Sequence, residues 1–404
     1  MTRPFAYGPD SEGWQHTQLR SFLTRSRRRG RTDLPLLSVN LPQGVVPRFE
    51  GDGRPAPSED LSSYQVVRKG DLVMNQLGKP HGALGVSNYD GIISPAYFVA
   101  NIASSAEPRF IHHLLRTRLY ISEYERRGKF MPPSQFDISW EDFRSIPVAM
   151  PPITTQRSIA DYLDRETARI DALIAAKRRM AELLEERWQG FLEAEIRGLA
   201  DKYGEIPLKY VCREVVVGIV ITPSAWYTES GIPAIRGTNV SPGTISSDDL
   251  VYLTEEGHKL HPKSQLRSGD VVVVRTGQAG AAAVVPPELD GINCIDLVII
   301  RLRSNYSAHF LEFVMNSDWM QKHIVERSVG TIQSHFNVGA AGVIPVPRAP
   351  FTDQDAMVDR LRREQRRVSG LASVVERQVE LLQERRQALV TAAVTGHLGI
   401  PEAA

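Results

Sequence analysis

Between residues 154 and 198, and again between 352 and 396, the chain runs without proline and keeps returning an apolar residue to one helical face. The positions pair as Ile159 and Met357, Leu163 and Leu361, Ile170 and Val368, Leu173 and Leu371, Leu184 and Leu382, and Phe191 and Leu389, at spacings of 4, 7, 3, 11 and 7. Such a stripe is heptad-like, interrupted where Glu166 and Arg187 fall on it, and it predicts two long helices. Pro151, Pro152 and Pro350 break whatever precedes them, and Thr154 and Thr352 offer hydroxyl caps. A helix of about 43 residues rises about 65 Å at roughly 1.5 Å per residue. It is longer than a small domain is wide, so it needs a partner outside its own domain. The nearest partner is its own copy, in a coiled coil; the alternative is that each helix covers only its own domain.

The two helical segments are copies. Ile146-Pro147-Val148 matches Ile344-Pro345-Val346 at an offset of 198, which then holds without a gap to Gly198 and Gly396. The 53 aligned pairs contain 21 identities, among them "ELLEERWQ" (182–189) against "ELLQERRQ" (380–387). Leu183, Leu184, Leu381 and Leu382 are therefore expected at a helix seam, and the mismatch of Trp188 with Arg386 is expected to distinguish two partner-docking faces.

Upstream of each helix the pattern changes from period 3.6 to β-branched runs bounded by glycine or charge, such as "GDVVVVRTG" and "DLVIIRLR". Here too the order is duplicated: "VRKGDLVMNQLG" (67–78) answers "LRSGDVVVVRTG" (266–277), and Asp90-Gly91-Ile92 answers Asp290-Gly291-Ile292. Short helices are expected around 109–127 and 308–328. A period near 198 is far too long for a solenoid. The expected fold class is α/β, mixed α+β: a domain over 1–152, a long helix over 153–200, a second domain over 201–350 and a second helix over 351–398.

Hydrophobic residues at 42% and charged residues at 24% suit a water-soluble protein. No apolar run approaches a membrane span, and the start lacks a signal-peptide core, so no membrane association and a cytoplasmic location are expected. Cys212 and Cys294 stand far apart, without zinc-ligand spacing. The phosphate-cradling GxxxxGK[ST] loop, GxGxxG, HExxH and GxSxG are all absent, and the Pro-Pro pairs lack the companions of an aminomethyltransferase motif. Neither a catalytic residue, a metal nor a bound cofactor is expected. A net charge of +1 excludes nothing, because phosphate binding depends on local clustering.

The strongest cation cluster is "RSRRRGR", with Arg25, Arg27, Arg28, Arg29 and Arg31, a surface suited to phosphates. A second basic run, Arg116 to Lys129, interleaves with Tyr120 and Tyr124, which are expected in the core. Base reading needs directional donors and acceptors. Each Gly-Asp strand leads into a loop that offers them: Asn75, Gln76, Lys79 and His81 in the first copy, and Arg275, Thr276 and Gln278 in the second. A third polar run holds Thr331, Gln333, Ser334 and His335. The copies agree in scaffold and differ in these loops, as reading two different sequences would require.

The two IPV strands, the Pro-x-x-x-Gln entries Pro152 to Gln156 and Pro350 to Gln354, the "ELLxERxQ" phrases and the Gly-Asp strands together resemble the DNA sequence-specificity subunits of type I restriction–modification systems. "GIPAIRGTNVSPGTI" (231–245) also resembles the opening of such a recognition domain; its match to "DLPLLSVNLPQG" (33–44) is loose. The resemblance implies two target-recognition domains, each reading half of a split double-stranded DNA site, and an antiparallel helix pair acting as a spacer. It also implies docking of a pair of adenine methyltransferase subunits and of restriction (translocase) subunits. S-adenosylmethionine, ATP and Mg2+ then belong to those partners. The seam and docking candidates are Leu163, Ile170, Leu173, Leu184 and Trp188 in the first helix, and Leu361, Val368, Leu371, Leu382 and Arg386 in the second. A coiled-coil scaffold of another multi-subunit defence complex, without base-specific reading, is the alternative; a nuclease ranks behind both.

Overall fold

The computed structural model describes residues 8, 11–40, 43–49, 58, 60–75, 83–131, 135–328 and 336–400. The chain forms two compact units, one of residues 1–178 with 377–404 and one of residues 179–376. The division falls within the two long helices, Ile153–Tyr203 and Phe351–Val394, so each unit takes a part of both.

In the first unit, four antiparallel strands lie in the order Leu23–Arg25, Tyr97–Ile102, Leu72–Asn75, Leu84–Val86. The second unit repeats the order with Cys212–Val217, Leu297–Leu302, Val271–Val274 and Ala282–Val284. Each unit also pairs its IPV segment with an early strand: Pro147–Met150 with Gln15–Gln18, and Pro345–Pro347 with Glu205–Pro207. Helices Pro108–Leu115 and Arg118–Arg127 answer Ala308–Met315 and Asp318–Ser328. Even the loosely matched segments take equivalent places. Leu36 bridges Ile92 in parallel, and Ala234-Ile235 pairs in parallel with Asn293-Cys294. The duplication read from the sequence is thus a duplication of topology.

The shared Gly-Asp pair is explained by the turn before the central strand. Gly70 and Gly269 sit at φ of 92° and 86°, where a side chain would be strained. The buried Asp71 and Asp270 accept the Arg68 and Arg267 backbone N–H groups at 2.8 and 2.9 Å. Burial pushes both carboxyls up from their ordinary range, so each needs a cation beside it. The units supply it differently. Arg28 reaches Asp71 from the arginine-rich segment, helped by Asn101 at 2.7 Å. In the second unit Arg301, at the strand position matching Asn101, lies 3.2 Å from Asp270 and 2.7 Å from Glu214.

The Pro-x-x-x-Gln entries have an equally plain function. Gln156 and Gln354 are buried and accept the Glu107 and Ser307 backbone N–H groups, both at 2.8 Å. They donate in turn to the carbonyls of Pro151 and Ala349 at 2.8 and 2.7 Å. Thr154 and Thr352 are not caps: both helices begin one residue earlier, with the Pro152 and Pro350 carbonyls accepting the first bonds from the Gln156 and Gln354 N–H groups.

Within the second unit the helix segments run antiparallel, because contacts fall along one helix as they rise along the other. Lys202 meets Asp353 at 3.4 Å, Glu195 meets Arg360 at 2.7 Å, and Arg187 meets Glu364 at 3.3 Å. In the first unit Asp171 pairs with Arg386 at 2.8 Å. Leu163, Ile170, Leu184, Trp188, Leu361 and Val368 are buried, and Leu382 is half-buried. Four expected seam leucines are corrected. Leu173, Leu371, Leu183 and Leu381 are 46%, 42%, 48% and 47% exposed. The inward row passes through Ile174 and Ala372 instead; one residue turns a helix by about 100°, so a neighbour of a seam position faces away. Trp188 is no docking residue either: it packs edge-on against Phe313 at a centroid distance of 6.2 Å, inside the core of its own unit.

A buried histidine carries a pH consequence. His112 accepts the Val86 N–H at Nδ1 (3.1 Å), and Arg116 lies 2.9 Å from Nε2. Glu312 does the same for Val284 at 2.9 Å in the second unit. Burial, seconded by the Arg116 charge, pushes His112 down to about 3 from 6.5. Below about pH 6.5 the unfolded chain therefore gains a proton that the folded chain refuses, so stability falls with pH by about 1.4 kcal/mol per unit. The denaturant midpoint of the first unit is expected to drop between about pH 6.5 and pH 4, and His112→Gln to flatten that drop.

Candidate nucleic-acid interface

The polar residues singled out in each copy converge on the same end of the sheet. In the first unit the strands leading to Arg25 and Asn75 flank Tyr97–Ile102 and both run toward its Tyr97 end. In the second, Val217 and Val274 stand opposite Val298 and Leu297, so residues 218–222 and 275–278 emerge together.

In the first unit, a cleft of about 640 Å³ gathers Arg20, Arg25, Arg27 and Arg144 around Phe98 and Trp140. The Arg25 guanidinium lies 5.0 Å from the Phe98 ring centroid, and Trp140 meets Phe98 edge-on at 5.5 Å. Arg144 is held by Glu141 at 2.6 Å. Arg20 and Arg27 are exposed, free to meet an anion. The remaining cluster residues do other things. Arg28 neutralises Asp71, Arg31 is paired with Asp33 at 2.7 Å, and Arg29 is exposed while its backbone bridges Gln65. Arg126 and Arg127 both grip Glu123, and Tyr120 and Tyr124 are buried, so this part of the second basic run is held within its own unit, while Arg118 and Lys129 are exposed. Gln76, Lys79 and His81 lie outside the described residues.

In the second unit, Thr276 and Gln278 line a cleft of about 460 Å³ with Arg236, Thr238, Ser241 and Asp296. Arg236 leans on Asp249 at 3.1 Å, and its buried Nε has no hydrogen-bond partner among the described residues. Arg275 is largely engaged: it pairs with Asp296 and donates to the Phe336 carbonyl at 3.3 Å. Thr331, Gln333, Ser334 and His335 lie outside the described residues. Sequence reasoning missed Arg20, Arg144, Trp140, Arg236 and Asp296. Each is an isolated residue that only the fold brings to the cleft.

Burial pushes the Cys212 thiol up to about 12 and raises Cys294 as well, so neither is a thiolate nucleophile near neutrality. Among the described residues no group of three or more His, Cys, Asp or Glu side chains could hold a metal ion, and no helix is long and apolar enough to cross a membrane.

The chain is thus a duplicated α+β unit with unlike polar ends, and comparison with known proteins gives it relatives. The chain is similar in sequence to type I restriction enzyme specificity subunits. It is 20% identical over 279 residues to the MjaVIII subunit of Methanocaldococcus jannaschii, covering 64% of this chain and 63% of that one. It is 21% identical over 259 residues to the EcoBI subunit of Escherichia coli, covering 57% and 53%. The matches thus span less than two thirds of these curated relatives. In fold the chain resembles a solved chain from a study of type I restriction–modification assembly and conformational transition, with a TM-score of 0.68, 20% identity and coverage of 98% and 100%. The HsdS subunit of Thermoanaerobacter tengcongensis follows at 0.51, with 19% identity and the same coverage. No protein-family profile matches the chain.

Proposed function

We propose that the chain is the DNA sequence-specificity subunit of a type I restriction–modification complex, its two units each reading one half of a bipartite, asymmetric double-stranded site. The observation that carries this reading is the repeated sheet whose equivalent ends bear different polar groups: arginines over aromatics in one unit, and Arg236, Thr276, Gln278 and Asp296 in the other. Arginine forks and amide or carboxylate groups are the side chains that meet phosphates and base edges. The similarity to named specificity subunits supports the same assignment. On this reading the chain is not an enzyme. The exposed faces of the long helices dock a pair of adenine methyltransferase subunits and the restriction subunits, and those partners use S-adenosylmethionine, ATP and Mg2+.

Replacing residues 1–150 by the matching domain of a relative is expected to change one half of the methylated sequence and leave the other half intact. Methylation mapping of a host carrying the chimera reads the result directly. An unaltered pattern, or loss of both halves with the chimera folded, overturns the reading.

A further inference from the structure

We infer that Ile221 reads a thymine methyl group in the half-site met by the second unit. The proposal rests on the DNA-recognition reading above and adds to it an apolar contact among polar ones. Beyond the strand Cys212–Val217 the backbone is held tightly. The Gly218 N–H donates to the Leu297 carbonyl at 2.8 Å, the Ile219 N–H to Cys294 at 3.0 Å, and the Asp296 N–H to Ile219 at 3.1 Å. A side chain on Gly218 would come within 2.5 Å of the Cys294 carbonyl oxygen, so the close approach needs glycine. Ile219 is buried, but the next two residues turn outward: Val220 is 44% exposed and Ile221 81%, more than any other large hydrophobic described. Thr222 closes the turn in the left-handed region at φ 44° and ψ 52°, leading into the short turn Pro223–Trp226. A non-glycine residue there is uncommon and costly.

An apolar side chain on a fixed stem in water gains nothing for the folded chain. Its surroundings suggest what it gains elsewhere. Asp296, which bonds to Ile219, also lines the cleft with Arg236, Thr276 and Gln278. Groups of that kind match base edges in the major groove, where the thymine C5-methyl is the apolar mark that separates T·A from the other pairs. In the first unit Arg25 holds the register place of Val215, and six residues further on, where the second unit has Ile221, stands Arg31, paired with Asp33, so the apolar contact belongs to one half-site.

The full chain would first be used to select its site from randomised duplexes, and each thymine would then be replaced singly by deoxyuridine. One replacement in the second unit's half-site is expected to weaken binding by roughly three- to tenfold, the value of one methyl group buried. In Ile221→Ala that replacement should cost nothing further, whereas Ile221→Leu should retain the sensitivity. Melting temperatures should not move, because the side chain is exposed. A half-site with no deoxyuridine-sensitive position overturns the proposal, as does sensitivity that persists in Ile221→Ala. So does unstacking of a base step reported by 2-aminopurine, which would make Ile221 a wedge. If the chain selects no sequence at all, the DNA-recognition reading itself fails, an outcome distinct from the others.

Discussion

Arg28→Ala should destabilise the first unit by about 3–5 kcal/mol, because it strands a buried carboxylate. Arg27→Ala, one residue away, should leave stability within about 0.5 kcal/mol and instead weaken DNA binding. The two arginines belong to one run of charge, but Arg28 is paired with the buried Asp71 and Arg27 is exposed beside the aromatic cleft. For a unit of this size the Arg28 loss corresponds to a drop of roughly 6–20 °C in its melting transition. On the proposed DNA-recognition reading, in which Arg27 meets a phosphate, its loss should lower the slope of log affinity against log salt by about 1. A control separates charge from shape. Arg301 neutralises Asp270 from the strand position of Asn101, so the double change Arg28→Ala with Asn101→Arg should recover much of the stability. If Arg28→Ala melts normally, or Asn101→Arg gives no recovery, Asp71 does not depend on the guanidinium.

Trp188→Ala should cost the second unit about 3–5 kcal/mol, as expected for a buried aromatic cut back to alanine. Its duplicate Arg386 makes a partly exposed ion pair with Asp171, and Arg386→Ala should cost no more than about 1 kcal/mol. Thermal melts of both variants check the contrast. Equal losses would mean that Trp188 does not anchor the helix segment to Phe313.

These contrasts also mark how far sequence reading reaches. A gapless offset exposes the duplication, the long helices and the order of elements, because identical residues kept for one structural task, such as Gln156 and Gln354, align without knowledge of the fold. Helical phase is harder. Where two apolar residues are adjacent, as Leu173 and Ile174 are, periodicity alone chooses between them poorly, and here the second of the two faces inward. Charge clusters mislead for another reason. Composition sees five arginines in "RSRRRGR" but not the carboxylates that claim Arg28 and Arg31. Conversely, Arg20 and Arg144 lie 124 positions apart and meet at one cleft only through tertiary structure.

The differing neutralisation of Asp71 and Asp270 bears on how such a chain can be recombined. A crossover that brings the Asp71 segment without Arg28, or the Asp270 strand without Arg301, leaves one buried charge alone in the hybrid. Exchanges of whole units, joined inside the long helices where the copies share most identities, keep every such pair intact. The helices are thus the natural splice points of the molecule, and on the proposed reading new specificities should arise by exchanging entire units more readily than by blending them.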